Sequence, residues 1–203
     1  MRRLIFLMLA AVSLAAVVSN ALPARLAGMV GPGIGYVAAD TAAGNPWNAY
    51  SGGLFVNGYM YWEESFFVMY GAAMIGSVLG SNDNSVAIDL EMYGTPFTDY
   101  LIDFDMLYGF GYRLPLGKPW MAVLAAGFYM GGTYLAPKTP SLPEYGCGGY
   151  GPGLGACLLY SVASNLGIEA SVNLGYSLSI SGNEYLMGST AGLHVFGGVG
   201  ISF

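Results

Sequence analysis

The final twelve residues constrain the fold more than any other stretch. Leu193, Val195, Val199, Ile201 and Phe203 share one parity, while Gly192, His194, Gly198, Gly200 and Ser202 share the other. A period of two marks a strand with one apolar face and one small or polar face. A lipid-facing strand of a closed barrel accommodates a last residue such as Phe203, because aromatic rings settle at the membrane interface. A strand facing water has no such use for it.

The first residues point to export. Arg2 and Arg3 form a short basic region, Leu4 to Val18 is apolar, and Ser19-Asn20-Ala21 fits a small-x-small cleavage site. The apolar stretch falls short of the roughly 20 residues a spanning helix needs. Residues 1–21 therefore read as a signal peptide and 22–203 as the barrel domain. Without Arg2 and Arg3, the four remaining bases Arg25, Arg113, Lys118 and Lys138 face 12 acids, a net charge of −8. This balance excludes nucleic acid and charge-driven binding to acidic lipid headgroups.

Charged residues make up 9% of the chain and hydrophobic ones 55%. A soluble domain carries about 25% charged residues, so an ordinary water-facing surface cannot be covered. A helical solution would use Phe66 to Leu79 and Trp120 to Ala136, both short and both containing glycine. Alternation is the stronger signal. Ile168, Ala170, Val172, Leu174, Tyr176, Leu178 and Ile180 interleave with Glu169, Ser171, Asn173, Gly175, Ser177 and Ser179. Ile102, Phe104, Met106, Tyr108, Phe110 and Tyr112 interleave with Asp103, Asp105, Gly109, Gly111 and Arg113. Val86, Ile88, Leu90 and Met92 alternate with Ser85, Ala87, Asp89 and Glu91. A helix would turn those acids into lipid; a barrel strand points them all inward.

Nine runs read as strands: 29–38, 52–62, 66–79, 84–93, 100–113, 119–131, 153–163, 166–180 and 189–203. Single-chain bacterial barrels close with an even number, so eight are expected. Counting back from Phe203 makes 163–166 and 114–119 periplasmic turns and 131–150 the longest outer loop. It also makes 80–84 a turn and 52–62 the first strand, with 29–38 left as an arm or plug within 22–51. The other count keeps 29–38 as the first strand and drops one run between 66 and 93. Gly31-Pro32-Gly33-Ile34-Gly35 echoes Gly151-Pro152-Gly153-Leu154-Gly155, which favours a strand there.

The signal peptide, the size, the Gly-x-Gly-Tyr-rich strands and Val199-Gly200-Ile201-Ser202-Phe203 resemble the small eight-stranded outer-membrane barrels of the OmpW/OprG-like and OmpX/OmpA-like kinds. Gly109-Phe110-Gly111-Tyr112-Arg113-Leu114-Pro115 with Lys118-Pro119-Trp120 is similar to the strand-turn-strand boundaries of such barrels. The resemblance implies an all-β, eight-stranded antiparallel transmembrane up-and-down barrel in the outer membrane. Val199, Ile201 and Phe203 would be the signal read by the barrel-assembly machinery. The implied function is a porin or channel for passive movement of small apolar or amphipathic cargo. The alternative is a non-transporting structural or surface-interaction barrel.

By parity, Asp89, Glu91, Asp103, Asp105, Glu169, Asn57, Asn173 and His194 line the lumen, with Arg113 the one inward base. If 84–93 and 100–113 form a hairpin, four acids lie close together across the strands. One Arg cannot neutralise five carboxylates. Either the lumen is wet and attracts cations, or tyrosines and asparagines satisfy the acids in a closed plug. For His194, a Ser-His-Asn set with Asn173 and Ser171 or Ser177 is the catalytic reading. The plainer one is a lumen histidine hydrogen-bonded to its neighbours, and no enzyme activity is expected.

No cofactor or metal is expected from two cysteines, and Gly31 to Gly35 lacks the Gly-Lys-Ser/Thr of a phosphate loop. In an exported chain Cys147 and Cys157 are permitted to pair, though an extended path between them would hold them apart. Trp47, Trp62, Trp120 and strand-end tyrosines suit interfacial girdles. Loop 131–150, with Pro140, Pro143, Glu144 and Tyr145, is the candidate contact for a host or surface ligand.

Overall fold

The computed structural model describes residues 24–40, 46–62, 66–81, 101–135, 145–180 and 191–203. They form eight antiparallel strands: β1 (Ala24–Asp40), β2 (Pro46–Trp62), β3 (Phe67–Ser81), β4 (Leu101–Pro115), β5 (Trp120–Leu135), β6 (Tyr145–Ala163), β7 (Leu166–Ile180) and β8 (Ala191–Ser202). Each strand pairs with its neighbours in sequence, and β1 closes the barrel on β8. The fold is a closed eight-stranded antiparallel up-and-down barrel. Both segments weighed as helices, 66–79 and 120–136, are strands in β3 and β5.

The two strand counts are now decided. Residues 29–38 belong to β1, whose ladder with β2 runs from Ala24↔Trp62 to Asp40↔Pro46. The arm or plug reading is thereby corrected, as is 52–62 as the first strand. Run 84–93 is not one of the eight barrel strands and lies outside the described residues, together with Asp89 and Glu91. The hairpin expected between 84–93 and 100–113 is excluded because both edges of β4 are taken. Ile102 to Tyr112 pair with β3, and Leu101 to Pro115 pair with β5.

The connections fall into two classes. At one end, β2–β3, β4–β5 and β6–β7 are joined by two to four residues. The β4–β5 turn needs Gly117, whose φ of 95° is a conformation that side chains with a Cβ avoid. The other end carries 41–45, 82–100, 136–144 and 181–190. The longest is 82–100. The loop expected over 131–150 is shorter, because β5 runs on to Leu135 and β6 begins at Tyr145. The remainder, 136–144, lies outside the described residues.

Parity sorts the wall as expected. Ile34, Leu54, Ile75, Leu154, Ile168 and Ile201 point out and are exposed. Trp120 packs edge-on to Tyr160 at 4.8 Å beside the short turns, as a girdle pair would. Phe203 is exposed, yet its backbone is fixed: Phe203 N donates to Gly28 O at 3.0 Å and Gly28 N to Phe203 O at 3.1 Å.

A candidate site inside the barrel

The lumen is a packed core. Phe55, Tyr59, Tyr70, Leu107, Tyr129 and Phe196 are buried together at its centre. Their strands place them there by alternation, since Tyr59 follows Asn57 and Leu107 follows Asp105 on the inward parity. Between these rings lie polar groups in three storeys.

Nearest the short turns, Asn57 Nδ2 donates to Glu169 Oε1 at 2.6 Å and the Tyr59 hydroxyl to Glu169 Oε2 at 3.4 Å. Glu169 is 0% exposed. Asn57 Oδ1 is buried with no hydrogen-bond partner among the described residues. In the middle storey the Tyr70 hydroxyl donates to Asn173 Oδ1 at 2.9 Å and meets Ser171 Oγ at 3.0 Å.

The third storey lies toward the long connections. The Tyr129 hydroxyl donates to Asp105 Oδ1. His194 Nδ1 stands 3.3 Å from that same oxygen, and His194 Nε2 is 3.1 Å from Ser177 Oγ. The Tyr129 ring lies against the His194 ring with centroids 4.9 Å apart. Tyr129 can do so because residue 175 is glycine; a Cβ there would fall on the Tyr129 ring. Close by, Ser51 Oγ donates to Asp103 Oδ2 at 2.6 Å.

Inward parity is therefore right for Asp103, Asp105, Glu169, Asn173 and His194, all of them buried. The anticipated groupings differ. Asn173 turns to Tyr70 rather than to His194, so no Ser-His-Asn set forms. Ser171 also joins Tyr70, while Ser177 meets the histidine. Arg113 lies over the Tyr61 ring, its Cζ 4.1 Å from the centroid, at the short-turn end. Arg25, on the parity of the buried Met29 on β1, is exposed. Among the described residues, the partners of Asp105 and Glu169 are phenols, an amide, the Cys157 thiol and an imidazole.

Sequence reasoning allowed for tyrosines satisfying the lumen acids but did not name Tyr59, Tyr70 and Tyr129. Their parity with Asn57 and Asp105 was the signal. The cysteine question closes on the backbone: Cys147 and Cys157 lie on the single continuous strand β6. Ten steps of strand span roughly 33 Å, far beyond disulfide reach. Cys157 is a free, buried thiol.

No family model matches the chain, and no curated protein matches it in sequence. Solved structures match in fold. Neisserial surface protein A shares 9% identity, with a TM-score of 0.57, over 88% of this chain and 97% of its own. Ail, the attachment invasion locus protein of Yersinia pestis, solved with the heparin analogue sucrose octasulfate, shares 11% identity with a TM-score of 0.48. That match covers 88% of this chain and 99% of Ail. The likeness is one of fold: the small eight-stranded outer-membrane barrel.

Proposed function

We propose that this chain is an outer-membrane barrel that works at the cell surface through its long-connection end, with a lumen closed to solute flow. One observation carries the reading: Phe55, Tyr59, Tyr70, Tyr129 and Phe196 fill the lumen and are at most 1% exposed. Polar groups do not keep a water path open there, because Glu169, Asn173 and Asp105 meet Asn57, Tyr70 and His194 from across the barrel. An apolar exterior with rings near the short turns suits lipid. Export by a signal peptide and insertion by the barrel-assembly machinery through Val199, Ile201 and Phe203 complete the proposal.

The four long connections hold six acids, Asp83, Asp89, Glu91, Asp99, Glu144 and Glu184, against Lys138. A partner met there is neutral or cationic, not a sulfated polysaccharide or a nucleic acid. The name of Neisserial surface protein A is in keeping with a surface role.

The test is electrical. Refolded protein in a planar bilayer is expected to show no discrete conductance, and liposomes containing it no added uptake of small apolar solutes. Unitary currents, or uptake that saturates with solute, would instead establish the porin reading.

A further inference from the structure

The third storey of the lumen does more than neutralise an acid. The two imidazole nitrogens of His194 face different groups: Nδ1 the Asp105 carboxylate at 3.3 Å, Nε2 the Ser177 hydroxyl at 3.1 Å. A nitrogen opposite a carboxylate carries the proton, so the lone pair of Nε2 is directed at Ser177. This is the order a nucleophile, its base and an orienting carboxylate require. Asp105 is itself held by the Tyr129 hydroxyl, and the Tyr129 ring packs against the imidazole. Ser177 Oγ has one competing acceptor, Gly192 O, at the longer distance of 3.4 Å.

Position also favours reactivity. Ser177 lies three residues before the end of β7, opposite Gly192, the second residue of β8. The group is thus near the long-connection mouth. His194 keeps 8% of its surface exposed, whereas Glu169 keeps none. Gly149 flanks the serine. A Cβ there would come within 3.1 Å of Ser177 Oγ, so glycine leaves that side of the oxygen free of side chain. Beneath, the buried Tyr129, Leu107 and Phe196 close the lumen and leave no tunnel for a long acyl chain.

We propose that Ser177, His194 and Asp105 form a relay that cleaves short-chain carboxylic esters entering from the long-connection end. Ser177 Oγ bonds to the ester carbonyl carbon as His194 Nε2 takes the hydroxyl proton. The bond to the alcohol oxygen then breaks, and that proton passes to the departing alkoxide. Water repeats the sequence on the acyl-serine, releasing a carboxylic acid and restoring Ser177. Ser177 and His194 are the catalytic residues; Asp105 and Tyr129 are positioning residues.

The relay itself does not depend on whether the lumen conducts; its preference for short acyl chains rests on the closed lumen proposed above. Full-length refolded protein is treated with a fluorophosphonate probe and, separately, with p-nitrophenyl acetate and p-nitrophenyl palmitate. Folding is monitored by the heat-dependent gel shift. The expected result is stoichiometric labelling that maps by mass spectrometry to the peptide holding Ser177, with hydrolysis of the acetate and not the palmitate. Ser177→Ala and His194→Ala should lower the acetate rate by about 10³-fold or more. Ser171→Ala, a buried serine outside the relay, should label like wild type. Asp105→Asn should lower kcat and change its pH profile, which loss of packing alone would not do. Wild-type protein that folds and stays unlabelled, or labels at another residue, overturns the proposal whatever the variants do.

Discussion

The two ends of the lumen bury the same chemical problem and solve it differently. Near the short turns, Glu169 is enclosed completely and receives an amide and a phenol. Near the long connections, Asp105 receives a phenol and faces an imidazole. An amide and a phenol offer no proton acceptor of useful basicity, so the lower acid is an inert filling. An imidazole does offer one, and it passes the influence of the acid on to Ser177. Two buried acids that meet no lysine or arginine among the described residues thus reach two outcomes, and the imidazole decides between them.

Five substitutions test how far that contrast extends. The largest effect should come from Gly175→Ala, which drives a methyl group into the Tyr129 ring. A loss of about 3 kcal/mol in unfolding free energy, read from urea unfolding, is expected, and a neutral result would mean the upper storey is loosely built. Next, Glu169→Leu leaves the Asn57 amide buried without its acceptor and should cost about 2–3 kcal/mol. Adding Asn57→Leu should recover part of that loss, because the amide leaves with its acceptor while the Tyr59 hydroxyl still lacks one. Failure to recover would show that the lower pair does more than satisfy itself. Tyr129→Phe, which removes a donor to a carboxylate, should cost about 2 kcal/mol. The smallest effect is expected for Tyr70→Phe in the middle storey, about 1 kcal/mol by the same measurement, since its partners are neutral. If Tyr70→Phe costs more than Tyr129→Phe, the division into a reactive upper and an inert lower end must be redrawn.

Much of this architecture is legible in the sequence, and the illegible parts have physical causes. Alternation along 102–113 and 168–180 gave the correct face to Asp103, Asp105, Glu169 and Asn173 because a strand has a fixed period. Run 84–93 alternates just as well, through Val86, Ile88, Leu90 and Met92. Periodicity is local, whereas membership of a barrel is decided by closure, which leaves no open edge on β4. Residues 29–38 were harder to read because Gly31-Pro32-Gly33 dilutes the pattern. The site shows the same limit. Parity put His194 and Asp105 in one lumen, but they stand on β8 and β4. Only the cross-section of the closed barrel brings them within 3.3 Å while sending Asn173 to Tyr70.

The two Gly-Pro-Gly segments carry a last consequence. A proline has no N–H to give a ladder, and a closed barrel has no free edge on which to hide one. The β1–β8 ladder is interrupted between Val30↔Ile201 and Gly33↔Gly198, at Pro32. The β6–β7 ladder is interrupted between Tyr150↔Leu178 and Gly153↔Gly175, at Pro152. These two seams bound the β7–β8 hairpin on either side. That hairpin carries Glu169, Ser171, Asn173, Ser177 and His194, while Ser51, Asn57, Asp103 and Asp105 stay on β2 and β4. The wall thus behaves as a six-strand cradle holding a two-strand cassette, and a pulling force on the C-terminus should unzip that cassette first, stripping Asp105 and Asn57 of the partners it carries.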